Sequence, residues 1–363
     1  MFKSALDQSK NHSKLDSLHI YDSILTLKDQ ISQSWQEITY SGKLAKCSTA
    51  QNIIVAGMGG SALGGRIIQS LGQSILKAPL EVVTNYRLPF YADRKSFVIL
   101  SSYSGDTEET VSCALDALAR KCQIYVITSG GKLAHFASKY ELPSYIFTPT
   151  ANACNQPRMG LGYSITSQLA LLSNCHFVNF GEPDLNSVLA HLLSMTENLR
   201  KEVATKFNPA KSLALKTKGK ALIIISANHL TGTAHAIKNM VNENSKSFSV
   251  SFDLPELNHH LLEGLAFPLN LKNEVHFLII NSTLYPQVIR DRLDITKDLI
   301  TKFRYPLTVI KPDGKDPVTQ AFETLYFGEF LSYYLGIVNG LDPGPIPTIE
   351  NFKIQLDKRH KRI

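Results

Sequence analysis

One stretch of this chain joins an apolar segment directly to a glycine cluster: NIIVAGMGGSALGGR, at 52–66. The apolar part is typical of a buried strand, and the residues after Ser61 have the pattern of a helix. Glycines at the junction, among them Gly59 and Gly60, let backbone N–H groups approach a ligand closely. A helix that begins at a glycine-rich turn favours an anion, usually a phosphate. The stretch predicts a strand, a tight turn and a helix; a turn without any ligand is the alternative.

The spacing of this loop does not fit the common nucleotide motifs. No Gly-Lys-Ser/Thr follows it, so it is not a Walker loop. Gly57, Gly59 and Ala62 match GxGxxG only loosely, which is weak evidence for a dinucleotide.

A second strand also ends in small polar residues, in VILSSYSGDTEET at 98–110. Ser102, Ser104 and Thr107 surround a glycine, and a helix pattern follows, with Thr107 as its expected N-cap and two glutamates in its first turn. Hydroxyls and backbone amides bind a phosphate dianion without a lysine. The alternative is that they only cap the helix. Two such loops at the carboxyl ends of neighbouring strands favour a ligand site.

Strands and helices alternate along most of the chain, which predicts an α/β fold of two domains, each with a parallel, doubly wound sheet. Apolar residues at helical spacing predict a lead-in helix over 20–38, after an irregular start at 1–18. A linker is expected at 179–187 and a helix at 188–205. The predicted strands are 52–56, 80–84, 97–101, 123–128, 144–147, 220–226, 275–281 and 307–311. The other predicted helices are 61–71, 107–120, 131–139, 163–173, 231–242, 286–303, 317–338 and 347–358.

Composition is that of a globular protein large enough for two cores. The chain has 363 residues, 44% of them hydrophobic and 19% charged, and a formal charge of +7. The basic tail Lys358–Arg362 carries part of that charge and is expected to be a solvated end. We expect an anionic small molecule as partner, with no nucleic acid and no membrane.

Cysteine use and the N-terminus favour a cytoplasmic protein. The five cysteines are odd in number and form no CxxC pair, so we expect them to be reduced. The N-terminus has no apolar core of signal-peptide length, and no run reaches the ~20 apolar residues of a membrane helix.

A sugar phosphate at such loops would undergo aldose–ketose isomerisation most simply, which needs a base and a cation near the enediolate oxygens. Arg158, in PRMGLGY, is a candidate cation; a salt bridge is the alternative. Glu243, in NENSK, follows the predicted helix 231–242, where the negative end of the dipole raises a carboxyl pKa. That suits a base, although a solvated acid is the commoner role.

Two further residues are weaker candidates. His259, followed by His260, has a loop position suited to proton transfer; a structural histidine is the alternative. With Glu263 it has the spacing of two metal ligands, but no third ligand is evident. Lys353 lies beside an apolar stripe of the last helix and would extend its ammonium group into a cleft; an ordinary surface lysine is the alternative.

Together these motifs resemble the sugar isomerase (SIS) family, and within it the bifunctional phosphoglucose/phosphomannose isomerases. That family has GMGGS, SYSGNTEET, PRxxxGY, NENxK, NHNE and IExxK in this order. This chain has GMGGS, SYSGDTEET, PRMGLGY, NENSK, NHHL and IENFK, from Gly57 to Lys353. The whole ordered series, at comparable spacing, is far more specific than either glycine loop.

The resemblance implies two SIS-type domains with flavodoxin-like sheets: an N-terminal domain at 1–175, a linker and connecting helix at 176–205, a C-terminal domain at 206–340, and an active-site helix with a basic tail at 341–363. It implies Glu243 as the base, Arg158 as the group that stabilises the enediolate, and His259 and Lys353 as aids to ring opening. No cofactor or metal is implied. A homodimer is implied, with His259 reaching the partner's site. The implied substrate-binding residues are Gly59, Gly60, Ser61, Ser102, Ser104 and Thr107.

Three positions depart from the family pattern. Asp106 replaces an asparagine, so its side chain is expected to point away from the phosphate or to be paired. Leu261 replaces the acid of NHNE, which changes what orients His259. Ile346 aligns with a threonine that is thought to leave room for both C2 epimers, so the mannose activity is in question.

Two other functions are compatible with parts of this pattern. A non-catalytic phosphosugar sensor needs only the serine loops, and the set Glu243, Arg158, His259 and Lys353 argues against it. The isomerase half of an amidotransferase would need a glutaminase domain, which this sequence lacks.

Overall fold

The computed structural model describes residues 4–39, 47 and 49–360. It has an α/β fold in which two parallel sheets are flanked by helices. The first sheet contains β1 (Asn52–Ala56), β2 (Leu80–Val83), β3 (Ser96–Ser102), β4 (Gln123–Thr128) and β5 (Ser144–Ile146). The second contains β6 (Ala221–Ala227), β7 (Ser249–Leu254), β8 (Val275–Ile280) and β9 (Leu307–Ile310).

The helices before and around the first sheet are α1 (Ser9–Leu15), α2 (Ile20–Leu25), α3 (Leu27–Thr39), α4 (Gly60–Ser70), α5 (Gly72–Ile75), α6 (Glu108–Ala119), α7 (Gly131–Lys139) and α8 (Leu161–Asn174). Those that follow are α9 (Glu182–Leu199), α10 (Pro209–Thr217), α11 (Thr231–Asn244), α12 (Leu261–Gly264), α13 (Leu271–Glu274), α14 (Gln287–Lys302), α15 (Pro317–Val338) and α16 (Pro347–His360). Within the described ranges, no helix combines the length and the apolar character needed to cross a bilayer.

Strand order creates the crevice that holds the glycine loop. The first sheet has the order β2-β1-β3-β4-β5, and Ile53 of β1 pairs with Leu80 on one side and Phe97 on the other. The chain therefore leaves β1 towards β2 and leaves β3 towards β4, in opposite directions along the sheet. Ligands of open α/β sheets bind at the carboxyl ends of the strands beside such a point. The second sheet, β7-β6-β8-β9, has its equivalent point between β6 and β8.

One buried hydrophobic cluster extends across both sheets, and a second, smaller one lies against the first sheet. β3 is buried along its whole length, as expected for a parallel strand covered on both faces. α15 is buried from Val318 to Val338, so the protein surrounds this mainly apolar helix on all sides. It packs against α9, α10 and α11.

The helices that follow the first strand of each sheet, α4 and α11, pack directly on each other. A Cβ atom at Gly232 would lie 2.3 Å from the Arg66 carbonyl oxygen, so only glycine permits this backbone approach. This contact fixes the base of α11, and with it Glu243 at the other end, relative to the glycine loop.

Several sequence-based predictions are wrong in detail. The lead-in helix is two helices that meet at Thr26, and the predicted irregular start contains α1. The predicted linker at 179–187 is mostly the first part of α9, which begins at Glu182 with Pro183 in its first turn and Asp184 accepting the Gly181 N–H at 2.8 Å. The strand β7 and the helix α10 were not predicted.

The cysteines correct a further expectation. Cys47 and Cys175 form a disulfide across 128 residues of sequence, so the prediction of fully reduced cysteines is wrong. Cys113, Cys122 and Cys154 are free thiols. Of the basic tail, Lys358 and Arg359 are exposed on α16, and residues 361–363 lie outside the described range.

Candidate functional site

The glycine loop forms the strand–turn–helix expected from its sequence. β1 ends at Ala56, and α4 begins at Gly60 after Gly59, whose φ is +51°. A Cβ atom at Gly60 would lie 2.8 Å from the Pro157 carbonyl, so the loop contacts the segment that carries Arg158. In the part of the chain that the structure describes, the N–H groups of Met58, Gly59 and Gly60 have no acceptor. Three free donors at a helix N-terminus are the requirement for an anion site.

Ser61 ties the two predicted phosphate loops together. Its Oγ accepts the Tyr103 N–H at 2.8 Å, and its carbonyl accepts the Ser101 hydroxyl at 3.1 Å. The side chain is almost buried, with 8% of the residue exposed. The structure therefore brings Ser61 and the loop after β3 to one end of the first sheet, as the sequence predicts.

In the second loop the hydroxyls differ in their surroundings. Ser102 is buried, and its Oγ lies 2.9 Å from Thr107 Oγ1 and accepts the Gly105 N–H at 3.1 Å. Ser102 thus shapes the loop and orients Thr107. Ser104 is exposed at its tip. Thr107 is the N-cap of α6 but makes no capping bond with its side chain, which leaves that hydroxyl in contact with Ser102 rather than with the helix.

Asp106 is directed away from this loop by a neighbouring helix. Its Oδ1 accepts the Lys132 N–H at 3.1 Å, in the first turn of α7. A carboxylate at a helix N-terminus is stabilised by the dipole. The expectation that this side chain is paired is confirmed.

Arg158 is buried, with 3% of its surface exposed, and it uses most of its five N–H donors. Nε donates to Asn244 Oδ1 at 2.6 Å and Nη1 to Gln156 Oε1 at 2.9 Å. Nη2 donates to the carbonyls of Pro343 and Gly344. Among the described residues, one Nη1 hydrogen has no acceptor. The guanidinium group therefore joins the end of α11 to the turn before α16.

Glu243 lies in the last turn of α11, inside the helix rather than after it as predicted. Its Oε2 is 4.0 Å from Arg158 Nε, and 24% of the side chain is exposed. Burial raises the pKa of Glu243, and the charges of Arg158, Lys353 and Lys246 offset part of that rise. A carboxylate with a raised pKa beside a fixed cation has the properties of a proton-transfer base.

A cavity of about 450 Å³ opens beside Glu243. Its wall includes Lys246, Asp342, Ile346 and Thr348. The volume lies in the range of small-molecule sites. The predicted specificity position, Ile346, thus faces the same space as the predicted base.

Sequence reasoning missed Asn244 and Lys246, although both lie in the NENSK motif. Lys246 Nζ donates to the Asp342 carbonyl at 2.6 Å. Burial and the charge of Arg158 lower the pKa of Lys246 to about 8. Asn244 is fully buried and bonds Ser332 as well as Arg158. The sequence did contain a sign of their importance, because an acid, an amide and a lysine follow one another within four residues at the predicted end of the helix.

The structure does not bring every candidate together within one chain. Lys353 is exposed on α16, but its charge acts on Glu243. His259 is exposed on a short 3₁₀ turn after β7, and no contact described for the chain joins it to Glu243, Arg158 or Lys353. Glu263 is exposed as well, and the described residues add no third metal ligand to the His259–Glu263 pair.

Known proteins match this chain along most of its length. The family described as "Bacterial phospho-glucose isomerase C-terminal SIS domain" matches residues 206–356. A bifunctional phosphoglucose/phosphomannose isomerase from Caldicellulosiruptor bescii is 32% identical over 341 residues, which cover 93% of this chain and 98% of the relative. The protein of that name from Aquifex aeolicus is 30% identical over 314 residues, covering 85% and 91%.

A solved structure shares the fold. A hypothetical protein from Thermus thermophilus has a TM-score of 0.74 at 14% identity and covers 93% of this chain and 90% of its own. The near-complete match at 32% identity carries the assignment of family. The chain is an isomerase, and it belongs to the SIS family of bifunctional phosphoglucose/phosphomannose isomerases.

Proposed function

We propose that this enzyme interconverts glucose 6-phosphate and fructose 6-phosphate by proton transfer through a cis-enediolate, and that Ile346 sets how far mannose 6-phosphate is also used. The observation that carries the proposal is that Glu243, whose pKa is raised and which lines a ligand-sized cavity, is paired with buried Arg158. The family membership and the names of the relatives support the substrate class.

Each predicted residue has a role in this reaction. The N–H groups of 58–60 and the hydroxyls of Ser61, Ser104 and Thr107 bind the phosphate, with Ser102 shaping that loop. Glu243 takes the proton from C2 of the aldose and returns it to C1. The charge of Arg158 and its remaining N–H stabilise the enediolate oxygens.

Lys353 and His259 assist ring opening in this proposal. His259 acts from the partner subunit of a homodimer, which accounts for its exposed position away from Glu243 in one chain. The domain division proposed from the sequence, 1–175, 176–205, 206–340 and 341–363, assigns one flavodoxin-like SIS domain to each sheet. In it the base and the phosphate loops come from different domains.

The test is a product assay. Purified protein is incubated with fructose 6-phosphate, and glucose 6-phosphate is resolved from mannose 6-phosphate. Glucose 6-phosphate, with or without its epimer, supports the proposal. Binding of fructose 6-phosphate without either product contradicts it and favours the non-catalytic phosphosugar sensor, which needs the serine loops but not Glu243.

Ile346→Thr is expected to raise the use of mannose 6-phosphate. Ile346 lines the cavity beside Glu243, and a smaller side chain there relaxes the fit around C2. Contacts of one methyl group discriminate substrates by ~10-fold or more, so kcat/KM for mannose 6-phosphate should rise ~10-fold relative to that for glucose 6-phosphate. Ile354→Thr is the control, because Ile354 is exposed on α16, the helix that begins directly after Ile346. An unchanged ratio in Ile346→Thr would show that this position does not select the epimer.

The pH profile of kcat/KM should be bell-shaped. Glu243 acts as a base only when ionised, and burial raises its pKa, so the acidic limb lies above the usual carboxyl range. Activity should fall as Lys246 loses its charge at a pH of about 8, because in this proposal that charge also helps to stabilise the enediolate. Lys246→Arg, which keeps its charge, should extend activity to higher pH. A basic limb that does not move in this variant would exclude Lys246 as its source.

A further inference from the structure

Three side chains with metal-binding groups converge at a second cavity, whose lining residues do not include the predicted base. His191 comes from α9, Asp313 from the loop after β9, and Glu323 from α15. His191 Nε2 lies 3.3 Å from Asp313 Oδ1 and 3.3 Å from Glu323 Oε2. None of the three belongs to the motifs that identify the family.

The Glu323 carboxylate is held in place by the backbone. It accepts the Asp313 N–H, 3.0 Å from both oxygens, and the Gly314 N–H at 2.9 Å. Metal-ligating carboxylates are commonly oriented by such outer donors. The same bonds also fix the loop that carries Asp313. One set of hydrogen bonds therefore positions both Glu323 and Asp313.

The distances at His191 are compatible with coordination of a shared ion. A charge-assisted N–H···O bond is about 2.7–2.9 Å long, and Nε2, which is shielded from solvent, has no hydrogen-bond partner among the described residues. Ligand atoms about 2.0–2.1 Å from a tetrahedral zinc ion are about 3.3–3.4 Å from one another. The two separations of 3.3 Å agree with the edges of that tetrahedron.

We propose that His191, Asp313 and Glu323 bind one divalent zinc ion, with a water molecule as the fourth ligand. The imidazole and two carboxylates are a donor set that zinc accepts. A cavity of about 450 Å³ lies against all three residues and is also lined by Ser194, Asn198 and Lys311. Asp313 is exposed, with 80% of its side chain accessible, which gives the ion a path from solvent.

The ion would stabilise the folded chain and would take no part in the isomerisation. It would join α9, which connects the two sheets, to the loop after β9 and to the buried helix α15. A ligand that binds the folded state alone raises its stability with concentration. Zinc should therefore raise the unfolding temperature of the whole chain.

The test is calorimetric titration of chelator-treated full-length protein with ZnCl₂. We expect one equivalent of zinc to bind, a rise in unfolding temperature, and the visible absorption of four-coordinate cobalt when CoCl₂ replaces zinc. His191→Ala should abolish all three effects, and Asp313→Asn should weaken binding at least ~10-fold. Glu323→Gln is avoided because Glu323 also holds the 313–314 backbone.

His135→Ala is the matched control, since His135 is exposed on α7 of the other sheet. The proposal is overturned if no zinc binds, or if His191→Ala binds it as well as the unchanged protein. Absence of binding would leave a contact between His191 and the two carboxylates that needs no metal ion. Isomerisation is assayed separately in each variant and is expected to be unchanged, so failure of this proposal and failure of the proposed reaction are distinguishable.

Discussion

Glu243→Gln is expected to lower kcat by about 10³-fold or more while the affinity for fructose 6-phosphate changes little. Glutamine keeps the size of the side chain but cannot take a proton from carbon. The phosphate loops lie at α4 and α6 and do not depend on this carboxylate. Turnover is measured by the product assay, and binding by calorimetric titration of the same protein.

Glu197→Gln is the matched control for this substitution. Glu197 is exposed and pairs with Arg200 on the surface of α9, where such a pair contributes little. It should keep full activity. A Glu243→Gln enzyme with turnover near that of the unchanged protein would remove Glu243 as the base. Loss of fructose 6-phosphate binding together with turnover would instead assign Glu243 to substrate binding.

Arg158→Lys is expected to reduce both activity and stability. A lysine cannot replace the four described hydrogen bonds of Arg158 to Asn244, Gln156, Pro343 and Gly344. Removing a donor from a developing oxyanion costs about 10²–10³ in kcat. Breaking a buried charged network costs about 3–5 kcal/mol in unfolding free energy. Kinetics and thermal unfolding measure the two effects.

Arg120→Lys provides a control of the same chemistry. Arg120 also combines a carboxylate, Asp116 at 2.9 Å, with a backbone carbonyl, Pro89 at 2.7 Å. It is more exposed than Arg158 and lies beside α6 rather than the cavity. We expect it to retain full kcat. If Arg158→Lys also retains full kcat, the guanidinium group has no role in stabilising the enediolate.

Much of the first sheet was predictable because its strands are continuous apolar runs that end at glycines or hydroxylated residues. β1, β3 and β4 were predicted to within one residue at each end. The strand β7 was not predicted because SVSFDL is not a continuous apolar run; it alternates polar and apolar residues, which is the pattern of a half-buried strand, and β7 lies at the edge of its sheet. Edge strands have one unpaired side and carry a weaker hydrophobic signal.

The sequence indicates candidate site residues one by one but does not show the contacts between them. The sequence indicates Arg158 and Glu243 separately, whereas their contact depends on how α11 meets the segment 157–159 and the turn before α16. Asn244 and Lys246 were not predicted, because their positions depend on contacts with Arg158 and with the turn before α16 that the motif does not reveal. The Cys47–Cys175 bond joins residues 128 positions apart, and spacing alone gives no sign of it.

The position of His259 relative to the other candidate residues could not be predicted from its motif. The sequence motif places a histidine in the active site, but in one chain it is exposed and has no described contact with Glu243. A site assembled from two subunits leaves such a residue on the surface of each subunit. The homodimer therefore stays a prediction, which the oligomeric state in solution would test.

The most direct test of the account is to run the reaction from fructose 6-phosphate in D₂O and to locate deuterium in the aldose 6-phosphate by NMR. Proton transfer through an enediolate at Glu243 exchanges with solvent over many turnovers, so the account predicts deuterium at C2 of the product. Glu243→Gln should give neither product nor label. An aldose formed without any deuterium would indicate hydride transfer, and the absence of aldose would show that this chain does not carry out the proposed isomerisation.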